Sequence, residues 1–539
     1  MSHAAKRQAR YAPLFIGEAG GGGDLDAEIV GSKAAMLGRM ASLGLRVPPA
    51  FVLPATLCQP VNAGESQARQ ALANGLREGI KRLEAATGRR FDDARNPLLV
   101  SVRSGAARSM PGMLSTVLDV GLNARTVRGL IRLTGDPRMA WDSYRRFVQG
   151  YAEVVGDAPA APFEARLAQM LREEQAGDET ELDPEALERL ARAMASIAES
   201  QLGGPVPADP IDQLLAAALA VYRSWDGPRA TEYRRLNQID GLAGTAVTVQ
   251  AMVFGNTGGR SGAGVAFTRS PATGEKPLYV DFLFDAQGED VVSGRRTPGD
   301  ITALARRLPE ASRALATGAE RLEQALKDIQ DIEFTIENGQ LYFLQTRSAK
   351  RTPRAVLRSA VDLVAEGLIT PAEGLARVAG VDVERAGLAR FVGEAEPAAT
   401  AIAAASGVAA GQVAFDVAAA TRMAACGTPV ILVRRDIATD DIAGFAAAEG
   451  VLTAVGGRTA HAAVVARQLG KVCLVGCADL ALEGTDQARL GQARIKEGDW
   501  LSLDGETGAV FLGRREIAAQ RPEAELAEIA RWRAAEVQA

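Results

Sequence analysis

Residues 331–346 contain the pattern that most narrowly limits how this chain can fold. Acidic and apolar residues alternate from Asp331 to Glu337, and Asn338-Gly339 follows. A period of two is typical of a β-strand with one buried face, and Asn-Gly is a strong signal for a hairpin turn. The pattern therefore predicts a hairpin. Asp331, Glu333 and Glu337 share one face of its first strand, and the intervening isoleucine and phenylalanine side chains face a core.

Two acids on one face of a strand can hold a metal ion. Asp331 and Glu333 are two residues apart, which places their Cα atoms about 6–7 Å from each other. Ligand sets made only of oxygen favour Mg²⁺ or Mn²⁺. We interpret this pair as a candidate magnesium site, and the alternative is an ordinary solvated sheet face.

The turn decides which residues of the second strand lie beside these acids. A two-residue turn pairs Ile332 with Gln345 and directs Gln345 and Arg347 towards the apolar face. A three-residue loop with a bulge at Gly339 pairs Asp331 with Gln345 and places Arg347 on the acidic face. Because burying Gln345 and Arg347 among apolar side chains is costly, we predict the bulged turn.

The 539 residues predict three or four domains, since domains of about 100–200 residues are usual. Glycine and proline breaks and changes in hydrophobic period divide the chain into segments. The predicted segments are helices over 124–203, a break at 203–210, strands over 246–254, 264–268 and 278–284, a helical connector over 351–392, an alanine- and proline-rich linker over 394–405, a compact unit of short strands and helices over 407–513, and an amphipathic helix over 524–537.

Only two histidines occur in the chain, His3 and His461, so a zinc site built from several histidines is excluded. His461 follows Gly456-Gly457, and Thr459 can cap a helix that contains His461 in its first turn. The first turn of a helix favours anions, and a neutral imidazole is a good nucleophile near neutral pH. We interpret His461 as a candidate phosphoryl acceptor. The alternative is a partly buried histidine bonded to a carbonyl.

A phosphohistidine requires a phosphoryl donor, but the chain has no Walker loop and no Gly-x-Gly-x-x-Gly in a strand-to-helix context. The candidate phosphate contacts are scattered instead. Lys33 opens a helix after Gly31-Ser32, and Arg103 leaves a strand into a loop that carries Gly105 and Gly112. Small residues in such a loop let backbone N–H groups close on phosphate oxygens. For Lys33 and Arg103 the alternative is ordinary surface charge.

Composition argues against several other classes of protein. The formal net charge of −5 and the pI of about 5.6 argue against a dedicated nucleic-acid binder. Four cysteines in so long a chain are not a disulfide framework, so we expect a reducing, cytoplasmic compartment. Cys473 and Cys477 are either reactive thiols or small buried apolar residues. We expect no membrane span and no secretory signal.

Several longer motifs resemble those of the pyruvate phosphate dikinase family. They follow the family order and together extend from about residue 14 to residue 513. They are closer to the dikinase than to the related phosphoenolpyruvate synthase, whose arginine loop differs. The motifs are residues 101–107, 109–113, 142–147, 222–225, 264–269, 286–292, 331–347 and the run around His461.

The resemblance implies a multidomain chain of α/β and α+β class. It implies an ATP-grasp-like nucleotide-binding domain with a helical insertion, followed by a swivelling phosphohistidine domain of β/β/α type. The implied boundaries are 1–115 for the N-terminal ATP-grasp-like subdomain, 116–205 for the helical subdomain, 206–350 for the C-terminal ATP-grasp subdomain, 351–405 for the helical connector and linker, 406–514 for the phosphohistidine domain and 515–539 for a C-terminal helix.

Position by position, the resemblance also implies a site. His461 matches the histidine that attacks the β-phosphate of ATP, and Asp331 and Glu333 match acids that bind the metal. Asp281 stands where the family tends to have a longer acid. Of Arg145 and Arg146, the second is the better match to an arginine tied to phosphate. The residues that match contacts to ATP or phosphate are Lys33, Arg103, Gly112, Arg146, Gln250, Met252, Asp281, Gln345 and Arg347.

Two departures from the family lie beside the histidine. The family runs Gly-Gly-Met-Thr-Ser-His, whereas this chain has Arg458 in place of the methionine and Ala460 in place of the serine. Thr459 is retained. An added cation at position 458 can either stabilise a phosphohistidine or bind a different partner.

The reaction implied by the resemblance uses ATP and inorganic phosphate, with Mg²⁺ as cofactor, forms a phosphohistidine at His461 and releases AMP and pyrophosphate. In the family, a barrel that binds pyruvate or phosphoenolpyruvate follows the histidine domain. Only about 25 residues follow Gly513 here, too few for a barrel. We therefore expect a dikinase-like phosphotransferase whose acceptor is a small molecule or lies on another protein, with no nucleic-acid or membrane partner.

Two alternatives stay open. The chain is the nucleotide subunit of a two-component dikinase whose separate barrel subunit binds phosphoenolpyruvate or pyruvate. Otherwise, it is a non-catalytic regulatory relic that binds ATP. Retention of Lys33, Arg103, Asp331, Glu333 and His461 argues against the relic, because a relic has no reason to keep all five.

Overall fold

The computed structural model describes residues 11–17, 23–108, 110, 113–276, 278–292, 297–382, 388–436, 442–457 and 461–538. The chain divides into two compact units. Unit 1 comprises Met1–Gly258 with Tyr342–Gln345, and unit 2 comprises Gly259–Leu341 with Thr346–Ala539. With several sheets and many helices, the protein is of the mixed α/β multidomain class that the sequence predicts.

Unit 1 contains a five-stranded antiparallel sheet. Its strands are β1 (Leu14–Ile16), β2 (Ala50–Leu53), β3 (Val100–Gly105), β4 (Thr116–Val120) and β5 (Ala246–Ala251). Their order across the sheet is β1-β2-β5-β3-β4. The helices are α1 (Ala27–Val30), α2 (Ser32–Ser42), α3 (Cys58–Asn62), α4 (Ser66–Thr87), α5 (Thr126–Thr134), α6 (Pro137–Gly156), α7 (Ala161–Glu173), α8 (Pro184–Leu202), α9 (Pro210–Ser224) and α10 (Pro228–Leu236), with 3₁₀ turns at Ala55–Leu57 and Glu179–Glu181.

Three long helices of unit 1 begin at Asp-Pro pairs. The side chains of Asp136, Asp183 and Asp209 accept hydrogen bonds from backbone N–H groups in the first turns of α6, α8 and α9. The proline that follows each aspartate lacks an N–H group, which would have no partner there, and its fixed φ angle suits the first helical position. Helices α6 and α9 pack on the sheet, and α8 packs on α6, all within one apolar core.

Unit 2 contains the remaining strands and helices. The strands are β6 (Gly262–Phe267), β7 (Tyr279–Phe284), β8 (Gln330–Glu337), β9 (Gln340–Ser348), β10 (Leu388–Phe391), β11 (Ala399–Thr400), β12 (Ile402–Ala405), β13 (Val408–Ala414), β14 (Val430–Arg434), β15 (Gly450–Thr453), β16 (Val472–Val475), β17 (Leu480–Leu482), β18 (Gln487–Leu490), β19 (Ala493–Lys496), β20 (Trp500–Asp504), β21 (Ala509–Leu512) and β22 (Ile517–Gln520). The helices are α11 (Gly288–Val292), α12 (Ile301–Arg307), α13 (Pro309–Leu326), α14 (Pro353–Ala365), α15 (Pro371–Val378), α16 (Val417–Ala425), α17 (Ile442–Ala447), α18 (His461–Leu469) and α19 (Glu523–Gln538).

The strands of unit 2 form four sheets. A four-stranded sheet has the order β7-β6-β8-β9, and the central residues of β9 group with unit 1. An eight-stranded sheet has the order β11-β21-β20-β13-β14-β15-β16-β12, in which β13 to β16 run parallel. One face of this sheet packs on α16 to α18 and the other forms a second core. Two smaller sheets pair β10 with β22 and β17 with β18 and β19.

The hairpin prediction is confirmed, but the predicted bulged turn is wrong. Only Asn338 and Gly339 separate β8 from β9, and both have positive φ angles, as a two-residue turn of type I′ requires. Ile332, Phe334 and Ile336 are buried as expected. The two-residue turn was expected to bury Arg347 among apolar side chains, but this burial does not occur. This side chain lies near the end of β9, stays 47% exposed and still reaches Asp331.

Two other predictions are wrong in part. The predicted helical connector over 351–392 contains α14 and α15 but ends in a strand, β10. The predicted linker over 394–405 contributes β11 and β12 to the eight-stranded sheet. The strands predicted over 246–254, 264–268 and 278–284 and the helix over 524–537 are confirmed as β5, β6, β7 and α19. Among the residues that the structure describes, no helix is both long and apolar enough to cross a bilayer.

Candidate functional site

The start of α2 packs directly on the end of β3. Gly31 has a φ of +80°, and a Cβ atom at this position would lie 2.2 Å from the carbonyl oxygen of Gly105. The Ser32 N–H group donates to the Ala106 carbonyl at 2.9 Å. This contact fixes Lys33, in the first turn of α2, next to the strand that carries Arg103. The strand continues through Gly105, two residues beyond the predicted end.

One face of the unit 1 sheet carries a row of polar residues. Arg103 pairs with Thr248, and Ser101 pairs with Gln250, so all four side chains lie on the same face. The Arg103 Nε and Thr248 Oγ1 atoms are buried without a hydrogen-bond partner among the described residues. Gln250 is 4% exposed and donates to the Pro48 carbonyl at 3.3 Å. Buried polar atoms without partners are costly, so this face has unused capacity for a polar or anionic ligand.

Arg145 and Arg146 belong to an ion-pair network on α6. Arg145 contacts Asp142 at 2.6 Å and Glu179 at 2.7 Å, and Arg146 contacts the same acids at 3.0 and 3.1 Å. Burial alone would raise the pKa of Asp142, but Arg145, Arg146 and Arg138 hold it below its usual value. The predicted link between Arg146 and phosphate stays a prediction.

The remaining predicted contacts of unit 1 lie in different places. The Met252 N–H group donates to the Leu99 carbonyl at 2.9 Å just beyond β5, and the Met252 side chain packs on the core. Gln345 is 8% exposed. Gly112 lies outside the described residues.

Three acids share one face of the four-stranded sheet in unit 2. Val265 on β6 pairs with Asp281 on one side and with Glu333 on the other. Asp331 lies two residues before Glu333, so its side chain points to the same face. We call the surface formed by Asp281, Asp331 and Glu333 the acidic face. The alternating pattern of β8 predicted that Asp331 and Glu333 share this face. Asp281 lies on the same face only because of the register of β7, β6 and β8.

Asp331 is a nearly buried acid of this face. It is 7% exposed, and its Oδ2 atom accepts a hydrogen bond from Arg347 Nε at 2.8 Å. Its Oδ1 atom is buried without a hydrogen-bond partner in the described part of the chain. Burial raises the pKa of Asp331, the Arg347 guanidinium opposes this shift, and Glu333 adds to it. The positive charge of Arg347 therefore offsets only part of the effect of burial on this carboxylate.

The acidic face fits a divalent cation. Mg²⁺ usually takes one or two protein carboxylates and completes its shell with phosphate oxygens and water. The unpartnered Asp331 Oδ1 atom and the half-buried Glu333 would supply two such ligands. No group of three or more metal-binding side chains occurs among the described residues, so the structure does not contain an all-protein cage there.

The loop that leads to His461 meets the acidic face. A Cβ atom on Gly457 would lie 2.9 Å from Asp281 Oδ2 and 2.4 Å from Pro298 Cγ, so only glycine fits this position. The backbone of His461 begins α18, while its imidazole lies outside the described part, as do Arg458 and Thr459. The predicted nucleophile thus starts a helix, as expected.

Arg467 is a residue of this region to which the sequence analysis assigned no role. It lies on α18, is 2% exposed and donates from Nη1 to the Ala404 carbonyl at 2.8 Å. Its guanidinium carbon lies 5.7 Å from the centroid of the Phe267 ring. In the sequence, Arg467 could have been singled out only as an arginine within a mainly apolar helical segment.

Cys473 and Cys477 are buried apolar residues rather than reactive thiols. Cys473 and Cys477 are fully buried, and all four cysteines are free thiols. Burial raises the pKa of Cys473 to about 12 and that of Cys477 to about 11. A thiol with such a pKa is a poor nucleophile near neutral pH.

Comparison with known proteins assigns both halves of the chain. The family described as "Pyruvate phosphate dikinase, AMP/ATP-binding domain" matches residues 62–314 and 308–367. The family described as "PEP-utilising enzyme, mobile domain" matches residues 427–508.

Similar full-length proteins carry the same name. The chain is 44% identical to "Pyruvate, phosphate dikinase" of Clostridium symbiosum, covering 90% of this chain and 56% of the relative. It is 42% identical to "Pyruvate, phosphate dikinase 1, chloroplastic" of Arabidopsis thaliana, covering 91% and 51%. It is also 42% identical to "Pyruvate, phosphate dikinase 2" of Zea mays, covering 94% and 58%. The chain thus spans about half the length of these relatives, and it belongs to the pyruvate phosphate dikinase family.

Proposed function

We propose that this chain phosphorylates His461 from ATP and inorganic phosphate, with release of AMP and pyrophosphate. One observation carries the proposal. The acidic face, with the unpartnered Asp331 Oδ1 atom, lies against the Gly457 loop that leads to His461. A cation-binding pair beside the start of a helix that carries a lone nucleophilic imidazole suits in-line phosphoryl transfer.

The proposed reaction has two steps that balance. An imidazole nitrogen of His461 attacks the β-phosphorus of ATP, the bond from the β-phosphorus to the oxygen that bridges it to the α-phosphorus breaks, and AMP leaves. An oxygen of inorganic phosphate then attacks the terminal phosphorus of the pyrophosphoryl group. The bridging oxygen stays with the histidine-bound phosphorus, and pyrophosphate leaves. The proton of the imidazole passes to solvent.

The predicted metal-binding acids and several of the predicted basic residues have roles in this scheme. A Mg²⁺ ion held by Asp331 and Glu333 would neutralise charge on the phosphate oxygens. Arg347, which pairs with Asp331 at 2.8 Å, would contact the same oxygens. Lys33 and Arg103, whose elements meet where α2 begins on β3, would bind phosphate oxygens of ATP in unit 1. We propose that the ATP-grasp-like domain order given above holds for this chain.

We further propose that the acceptor of the phosphoryl group is bound outside this sequence, by a separate polypeptide or by a part of the protein that the sequence does not include. The relatives are named for pyruvate and phosphate. Pyruvate is therefore the first small molecule to test as acceptor, both alone and together with a protein that binds it.

The test is incubation with ATP labelled at the β-phosphorus, with and without inorganic phosphate, followed by mapping of the labelled residue. We expect one label per chain on His461, stable in base and lost in acid. His461→Asn should abolish the label, and His3→Gln, which changes the other histidine, should leave it intact. Label that persists in His461→Asn, or ATP binding without release of AMP, would contradict the proposal.

A further inference from the structure

Arg467 is a buried cation on the helix that begins with His461. We call the part of the chain that forms the eight-stranded sheet, residues 399–512, the module. Within this module, Arg467 Nη1 donates to the carbonyl of Ala404, which lies in β12. Only 2% of the residue is exposed. Because desolvating a guanidinium is costly, a buried arginine needs compensating contacts on every side.

Across from this module, Arg467 faces the strand pair that carries Asp331. Its guanidinium carbon lies 5.7 Å from the centroid of the Phe267 ring, and Phe267 is the cross-strand partner of Asp331. Directly paired residues of antiparallel strands share a face, so Arg467 stands over the row that contains Asp331. Burial lowers the pKa of Arg467, and the charges of Asp331 and Asp281 oppose that shift. An arginine remains charged under these conditions.

Further contacts fix the same arrangement. The Tyr279 hydroxyl donates to the Ala403 carbonyl at 3.0 Å. The Ser406 Oγ atom donates to the Ala272 carbonyl at 3.1 Å. Gly457 approaches Asp281 closely enough to exclude any side chain. Among these contacts, Arg467 is the one that brings a positive charge from the module to the acidic face.

We infer that Arg467 is a positioning residue that fastens the His461 helix against the Asp331 strand for phosphoryl transfer. The inference rests on the proposed function. Arg467 does not touch the reacting atoms in this scheme. It acts by holding the helix over the face where the nucleotide and the metal ion would bind, and its charge offsets part of the negative charge of that face.

Variants of Arg467 should affect the packing of the His461 helix on the acidic face but not the binding of metal ion or nucleotide. Arg467→Met removes the charge and the ring contact, so we expect transfer of label to His461 to slow by about tenfold. Affinity for Mn²⁺ and for a non-hydrolysable ATP analogue should not weaken, because Arg467 contributes no ligand. Arg467→Lys keeps the charge but loses the planar stacking, so its rate should lie between those of Arg467→Met and the unchanged protein.

The test measures docking directly as well as transfer. A Ser406→Cys thiol, in a background with the exposed Cys426 changed to serine, reacts with a thiol reagent when the module leaves Ala272. In this reporter protein, Arg467→Met should increase the labelling rate by about fivefold or more. The control is Arg494→Met, whose side chain is 73% exposed in the same module, and it should change neither rate.

A second variant keeps the inference testable if Arg467→Met fails to fold. Phe267→Leu alters the opposite side of the contact and should slow transfer in the same direction. The double variant should be less impaired than the product of the two single effects, because both remove one contact. Fully multiplicative effects, or a transfer rate in Arg467→Met equal to that in Arg494→Met, would overturn the inference. Absence of label on His461 in the unchanged protein would instead remove the proposed function.

Discussion

At the scale of single residues, Asp331 is both a proposed metal ligand and a buried charge that lowers the stability of the folded chain. We expect Asp331→Asn to weaken Mn²⁺ binding by about 100-fold, since a first ligand is lost. The free energy of unfolding should rise by up to about 1 kcal/mol at neutral pH, because a buried and poorly compensated charge is removed. A metal titration and denaturant unfolding measure the two effects. Glu337→Gln, on the same strand face, is the control and should leave metal binding unchanged.

The same carboxylate predicts a pH dependence with a defined sign. Because the pKa of Asp331 is raised in the folded chain, the folded state binds this proton more tightly than the unfolded state. Stability therefore falls as the pH rises from about 4, the ordinary carboxyl value, through the raised pKa, and is then constant. The stability advantage of Asp331→Asn should grow over that interval. An advantage that shrinks with rising pH would show that Arg347 lowers the pKa of Asp331 by more than burial raises it.

At the scale of elements, the junction of α2 with β3 depends on Gly31. Gly31→Ala places a methyl group 2.2 Å from the Gly105 oxygen at a φ of +80°. We expect a loss of about 2–4 kcal/mol in the free energy of unfolding and weaker ATP binding, since Lys33 shifts away from Arg103. Gly88→Ala is the matched control. Its φ is +67° and nothing lies within 4 Å of the added atom, so only about 1 kcal/mol should be lost. Equal losses in the two variants would contradict the steric explanation.

Local patterns predicted elements well where the signal lies within one segment. The alternation in β8 identified its buried and acidic faces because strand geometry alone decides them. The turn was misjudged because the argument assumed that Arg347 follows the alternation into the core, whereas the residue lies near the strand end. The strands β11 and β12 could not be predicted, since they are short, rich in alanine and stabilised by partners in β16 and β21, far along the chain.

At the scale of the whole molecule, the two segments on either side of the eight-stranded sheet pair with each other. Phe391 at the end of β10 lies opposite Ile517 at the start of β22. Arg515 donates to the carbonyls of Val392 and Gly393, and its guanidinium carbon lies 4.5 Å from the centroid of the Phe511 ring.

This pairing predicts that Arg515→Ala loosens the base of the module. Amide hydrogens of β10 and β22 should exchange about tenfold faster, because two carbonyl contacts and a ring contact are lost. Hydrogen exchange followed by mass spectrometry measures the change. Arg514→Ala, which removes an exposed neighbour that lies over Trp500, should leave the exchange rate of both strands unchanged. Equal acceleration in both variants would argue against a specific role for Arg515.

The assembly of the site is the part that sequence patterns could not supply. Asp281, Asp331 and Glu333 come from strands separated by about 50 residues, and only the register through Val265 aligns them. Arg467 reaches the same face from a helix more than 100 residues further on, and burial of a charge cannot be read from its neighbours. The sequence indicates which residue types can bind a metal ion or phosphate, but which of these residues lie close together depends on the tertiary structure.

Because β10 pairs with β22, the two ends of the segment between them lie close together, so this segment could be removed or transferred as one unit. Since Phe391 and Ile517 are direct neighbours across two strands, a bridge of a few residues could replace everything between them without stretching the remaining chain. The excised piece, circularised or grafted into another scaffold at a hairpin, would present its two ends at a spacing that any tight turn can accept.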